Sequence, residues 1–235
     1  MCAHASTVRS RTQYSGAMAK AATSLKADDK RRRLIDAGLE LMEELPYADI
    51  TVAMIAERAG MARSLVFYYF QDKEALFHGV VRDLLDGLRR TFDTNDVIEG
   101  GADPTAWLRR ELDIFLEFMA AHPQAMETIV GQGWENEQDE SGTTMMDFTA
   151  DRLRRAFGGS SEDALLGAAL HSWAYHCVDF AIRVRKTAPA ADRAAVIAVL
   201  VSQAEAAFSA VGSSAWESRN EAPPLGAPFH GRERS

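Results

Sequence analysis

From about residue 30 to residue 211 the apolar side chains recur every three or four positions, a spacing that leaves little room for anything but amphipathic helices. No stretch combines strict apolar–polar alternation with the tight turns that signal hairpins. A helix is expected over about 30–45, where Leu34, Ile35, Leu39, Leu41, Met42 and Leu45 share a face; Asp28 or Asp29 can cap it and Pro46 closes it. Thr51 opens a short second helix to about Arg58, and Gly60 breaks the chain. A third helix covers about Arg63 to Tyr69, and Asp72 caps a fourth from Lys73 to about Phe92. After the loop around Gly100, Gly101 and Pro104, further helices are expected at about 105–120, 124–134, 143–157, 162–186 and 190–211. The fold class is all-α, with about nine helices.

The flanks differ. Residues 1–26 are rich in Ala, Ser and Thr, carry four basic and no acidic residues, and read as a disordered basic arm in which Met18 is an alternative start. Residues 212–235 hold three Pro and three Gly and read as a disordered tail. Two cysteines, Cys2 and Cys177, cannot build a disulfide framework, and neither a membrane-length aliphatic run nor a signal peptide is seen, so a cytoplasmic protein with no membrane partner is expected. The net charge of −8 argues against a nucleic-acid partner until it is divided along the chain. Residues 1–75 hold 11 Lys and Arg against 10 Asp and Glu, whereas residues 76–235 hold 15 against 24. The acidity belongs to the second part, and the first is close to neutral.

The segment Thr51–Phe70, TVAMIAERAGMARSLVFYYF, carries the sharpest signal. A helix-turn-helix needs a small residue where two helices cross, a Gly that tolerates positive φ at the turn, and branched apolar residues that lock the second helix to the first. Ala56, Gly60 and Val66 stand at those places, with Ile55, Ala59 and Met61 filling the contact. On the helical wheel Val66, Tyr69 and Phe70 face inward, Ser64 and Tyr68 point away, and Phe67 sits to one side. Adjacent aromatics on a free surface suit a helix that enters a major groove.

The run Ile55–Gly60, followed by Leu65–Phe70 and Asp72–Leu76, resembles the DNA-binding domain of the tetracycline-repressor (TetR) family, over about Lys30 to Leu85. The resemblance implies a homodimer with a DNA-binding head, here 27–85, and a ligand-binding and dimerisation body, here 86–211. It also implies a repressor released from a palindromic operator on double-stranded DNA by a small molecule. Carried onto this chain, Thr51 caps the second helix and meets a phosphate. Arg63, Ser64 and Leu65 open the recognition helix, with Arg63 placed for a bidentate contact to guanine and Leu65 for a thymine methyl. Tyr68 and Tyr69 offer hydroxyls to phosphates, and Lys73 completes the backbone clamp. Three positions depart from the commoner pattern: Ala62 where a hydroxyl often caps, Ser64 for a frequent Gly, and Phe67 for a frequent Tyr.

In the body, the helix at 162–186 carries the stripe Leu166, Leu170, Trp173, Cys177, Phe180 and Val184, and the helix at 190–211 is apolar well beyond one stripe. Ala195, Ala198 and Ala206 would let a partner helix approach, so these two helices are expected to form the homodimer interface. Trp107, Phe118, Met126, Trp134, Met145, Trp173 and His176 are the candidates for lining a pocket for a hydrophobic effector, each with core packing as its alternative. No metal or cofactor is expected, since His171 and His176 lie about 140° apart on a helix and the stripe buries Cys177 as an inert thiol. A competing reading is a small helical enzyme using His176 with a relic head, and another is a helical interaction protein that binds no DNA.

Overall fold

The computed structural model describes residues 27–93, 103–139, 141–157, 159 and 163–211; the basic arm, the Gly100–Gly101 loop and the C-terminal tail lie outside the described residues. Among the described residues nine α-helices and two short 3-10 turns form the fold, and pairing outside the helices is limited to one antiparallel bridge between Gln138 and Thr144. The helices are α1 (27–44), α2 (Val52–Arg58), α3 (Arg63–Tyr69), α4 (Lys73–Asp93), α5 (Pro104–Ala121), α6 (Pro123–Gln132), α7 (Met145–Phe157), α8 (Ala164–Thr187) and α9 (Arg193–Val211). Asp28 and Asp29, expected as caps, lie inside α1, which already runs at residue 27.

The described residues fall into two compact units. The first joins residues 27–84 to Gln124–Trp134, and the second holds Leu85–Pro123 together with the residues from Glu135 onward. In the first unit α1 buries Leu34, Ile35, Leu41 and Met42, and α4 buries Leu76, Phe77, Val80 and Val81. Gly38 lets the two helices approach closely, because a Cβ there would stand 2.9 Å from both Leu76 Cδ2 and Val80 Cγ2. The segment 124–134 closes this unit from a distant part of the chain: Met126 and Ile129 are buried, and the buried Trp134 ring lies edge-on to Tyr47 at 4.9 Å and stacked on Phe77 at 6.3 Å.

The second unit centres on Trp107, Leu108, Leu153, Phe157, Trp173, Leu200 and Phe208, with Phe157 and Phe208 stacked at 4.3 Å. Thr144 and Asp147 start α7 as a reciprocal pair: the Asp147 amide donates to Thr144 Oγ1 at 3.1 Å and the Thr144 amide to Asp147 Oδ2 at 3.3 Å. By length and composition Arg193–Ala210 could cross a membrane, which a scan for unbroken aliphatic runs misses. Its stripe of Val196, Ile197, Leu200, Val201, Ala204 and Phe208 is buried in the unit's core. Ala195, Val199, Ser202, Gln203 and Ala206 remain on the exposed side of α9.

Candidate nucleic-acid interface

The turn between α2 and α3 follows from local chemistry. Thr51 is extended at φ −112° and its Oγ1 accepts the Met54 amide at 3.2 Å, which caps α2. At the other end Gly60 takes φ +64°, its amide donates to Glu57 O at 2.9 Å, and the Met61 amide donates to Ala56 O at 2.8 Å. This pair of bonds is a Schellman closure, which requires the left-handed backbone that glycine adopts without strain. Arg33 from α1 adds a third cap, donating from Nη2 to Ala59 O at 2.6 Å. The carbonyls of Ala56, Glu57 and Ala59 at the end of α2 are thereby satisfied, and the angle at which α3 leaves is set.

Helix α3 buries one side and presents the other. Val66 and Phe70 are buried, Tyr69 and Leu65 are half-buried, and Arg63 and Ser64 are exposed. Phe67 is 49% exposed and Tyr68 77%, two adjacent aromatic side chains turned to solvent. The Arg63 guanidinium lies 5.9 Å from the Phe67 ring centroid, and Tyr68 meets Tyr69 edge-on at 4.9 Å. The N-cap, Ala62, makes no side-chain bond, as its methyl dictates. Asp72 caps α4 by accepting the Ala75 amide at 2.7 Å, so the chain turns sharply after α3.

Most basic groups of the first unit are engaged within it. The Arg31 guanidinium lies 5.0 Å from the Phe70 ring, and Arg32 pairs with Asp36 at 3.1 Å and Asp83 at 2.7 Å. Arg58 pairs with Glu44 at 2.7 Å and Glu40 at 3.3 Å, which holds the Glu44 carboxyl below its ordinary value. Lys73 donates from Nζ to Tyr47 O at 2.8 Å and Ile50 O at 2.9 Å, and burial lowers its pKa. Sequence reasoning missed these bonds because each joins residues that are 23 or 26 positions apart.

The seven body residues expected to line one pocket are divided between the two units. Met126 and Trp134 belong to the first unit. Trp107 and Trp173 are packed in the core of the second, where Trp173 Nε1 donates to Leu200 O at 3.1 Å. Met145 is buried at the start of α7, Phe118 lies against His122 at 5.0 Å, and His176 lies against Phe180 at 5.5 Å with its Nε2 buried and without a hydrogen-bond partner. Two hollows in the second unit have other linings. One of about 250 Å³ lies among Leu116, Met119, Ala181, Ile182, Val184 and Val196, and one of about 380 Å³ among Asp147, Asp151, Arg154, Gly167 and His171. Among the described residues no three His, Cys, Asp or Glu side chains gather as a metal site, and burial pushes the Cys177 thiol far above its ordinary pKa.

Comparison with known proteins points the same way as α2 and α3. Residues 34–80 match the bacterial regulatory proteins of the tetR family. Over 60 residues the chain is 43% identical to the HTH-type transcriptional regulator BetI of Escherichia coli O139:H28, a match that covers 26% of this chain and 31% of that protein. The chain thus spans about a third of the length of that curated relative. A tetR-family transcriptional regulator from Streptomyces coelicolor superposes with a TM-score of 0.63 at 19% identity, covering 80% of this chain and 83% of the other. A transcriptional regulator from Rhodococcus sp. Rha1 superposes with a TM-score of 0.60 at 17% identity, covering 77% and 96%. At these identities the superpositions show an all-helical fold in common. The curated relative and both superposed proteins are described as transcriptional regulators.

Proposed function

We propose that this chain, whose residues 34–80 match the bacterial regulatory proteins of the tetR family, is a dimeric, effector-responsive transcriptional regulator acting as a repressor on a palindromic operator. The observation that carries this reading is the outer face of α3, where Arg63, Phe67 and Tyr68 are exposed together while Val66 and Phe70 anchor the helix from behind. Arg63 reads a guanine edge, Ser64, Leu65 and Phe67 meet neighbouring bases, and Thr51, Tyr68 and Tyr69 position the head on phosphates. The exposed small and apolar residues of α9, Ala195, Val199 and Ala206, support pairing of α8 and α9 with a second copy. A small hydrophobic effector that fits the body in one dimer arrangement only would change the spacing of the two recognition helices and release a site built on half-sites about 34–36 Å apart.

The test is selection of bound duplexes from a random-sequence pool by the full chain, followed by gel-shift with Arg63→Ala and Tyr68→Ala. Arg63→Ala is expected to weaken binding by about 1–3 kcal/mol and relax preference at one base pair. Undiminished binding by both variants would sink the assignment of α3 as the recognition helix. Sedimentation of the chain with and without Val199→Glu tests the pairing surface, and a monomeric parent protein would refute it.

A further inference from the structure

We infer that Phe67 is a positioning residue for base recognition: its ring holds the Arg63 guanidinium on the outer face of α3, so that preference for guanine depends on the pair and not on Arg63 alone. This rests on the DNA-binding reading above and deepens it. Arg63 opens α3 and Phe67 stands four positions later, so the two side chains are neighbours one turn apart on the helix surface. The Arg63 guanidinium lies over the Phe67 ring, 5.9 Å from its centroid. Both side chains are exposed, while Val66, next to Phe67, is fully buried and fixes the backbone from behind. The first turn of α3 holds no acidic residue, and among the described residues no carboxylate or carbonyl takes the N–H groups of Arg63.

Neighbouring arginines show the contrast. Arg58 has Nη1 and Nη2 on the Glu40 and Glu44 carboxylates, and Arg33 has Nη2 on Ala59 O, so their donors are engaged inside the unit. An aromatic ring attracts a cation through its negative face and supplies no oxygen, so the donors of Arg63 keep their capacity for an outside acceptor. Guanine takes that donor edge, since its O6 and N7 accept two N–H bonds from one guanidinium. A long exposed side chain loses rotamer freedom when it docks, and a contact already made in the free protein reduces that loss. The role requires a ring and not a hydroxyl, so Phe fills it at a position where Tyr is frequent in the family.

Two measurements on the full chain test this. In the free protein the ring is expected to move the Arg63 side-chain proton resonances upfield, an effect that disappears in Phe67→Leu and persists in Phe67→Tyr with helical content unchanged. Arg63 resonances that are the same in the parent and in Phe67→Leu overturn the proposal whatever happens with DNA. On a duplex selected from a random pool by the parent chain, the base pair that Arg63 reads is the one at which Arg63→Ala loses preference. There Phe67→Leu is expected to lower discrimination by about two- to fivefold, which corresponds to about 0.5–1 kcal/mol for an exposed cation–π contact, and Phe67→Tyr to retain it. Added to Arg63→Ala, Phe67→Leu is expected to change nothing further at that base pair. Full discrimination by Phe67→Leu, or the same loss from Phe67→Leu with and without Arg63, overturns the proposal, and so does an Arg63→Ala variant that loses preference nowhere. Should Phe67→Leu fail to fold, Phe67→Met carries both comparisons. Failure of the selection to return any duplex refutes the DNA-binding reading, and the resonance measurement, which uses no DNA, still decides whether the ring holds Arg63.

Discussion

The ion pair between Arg152 of α7 and Glu111 of α5 is a point at which the second unit can be broken with one substitution. Arg152 is 4% exposed and Glu111 8%, and they meet through two bonds, Nε to Oε2 at 3.2 Å and Nη2 to Oε1 at 2.9 Å. The same Nη2 donates to Phe92 O at 2.9 Å, near the end of α4, and the rings of Phe92, Trp107 and Phe148 surround the guanidinium at 5.6–5.8 Å. Glu111→Gln removes the buried carboxylate charge and leaves the guanidinium among aromatic rings, with the exposed Asp93 carboxylate 3.8 Å from Nη1. Breaking a buried pair by removing one partner costs about 3–5 kcal/mol. For a chain of this size each kcal/mol moves the melting temperature by roughly 2–4 °C, so a fall of about 6–20 °C is expected. Removing both charges as Glu111→Leu with Arg152→Met should recover most of the loss, since two apolar side chains of similar volume suit the aromatic surround. The assay is thermal unfolding followed by circular dichroism at one fixed protein concentration, for the parent, Glu111→Gln, the singles Glu111→Leu and Arg152→Met, and their double. If Glu111→Gln costs less than about 1 kcal/mol, or if the two single losses simply add in the double variant, the pair does not hold α4, α5 and α7 together in the way argued.

Gly60→Ala forces a methyl into a backbone at φ +64° and to 3.3 Å from Arg33 Nη2, so a loss of about 1–2 kcal/mol in unfolding free energy is expected, with weaker DNA binding; a neutral result would refute the Schellman closure. Asp139 accepts from Ser141 and from the Thr143 amide beside Arg89, and these hold its pKa down to about 2 from 3.8. A lowered folded pKa gives stability that is complete above about pH 4 and lost as pH falls toward 2, so Asp139→Asn should flatten the acid limb of a stability–pH profile in that window. Cys177 is buried with its thiol pushed up, so it should resist maleimide in the native chain and react on unfolding; peptide mass mapping distinguishes it from Cys2, and rapid native labelling would contradict its burial.

What was legible in the sequence was what neighbouring residues decide between themselves. Thr51, Gly60 and Asp72 act within four positions of their own place in the chain, and the bounds expected for α2 and α3 agree with Val52–Arg58 and Arg63–Tyr69. The start of α1 was misplaced because an acidic residue near a helix beginning can sit in its first turns as readily as cap it. The helix expected from 143 begins at Met145, since Thr144 spends its hydroxyl on the cap. The fate of the large side chains was not legible, because helical spacing says that a residue is buried and not what lies opposite. Trp134 meets Tyr47 from 87 positions away, Lys73 finds carbonyls before α2, and the expected pocket lining divides between two units. The surface of α3 could be read because exposure of an aromatic run follows from the wheel alone.

The first unit is discontinuous, and this gives it a history during synthesis. Residues 27–84 leave the ribosome first, but the unit also contains Gln124–Trp134, with Trp134 stacked on Phe77 and the Gln124 amide on Glu43. Its last residue follows residue 84 by 134 minus 84, or 50, residues. At about 5–20 residues per second, the nascent head waits roughly 2.5–10 seconds with the faces of Tyr47 and Phe77 uncovered. A transcript-bound ribosome would therefore carry a helix-turn-helix whose own motif is complete well before the unit that steadies it, and an excised fragment ending near residue 84 would keep that unfinished surface permanently.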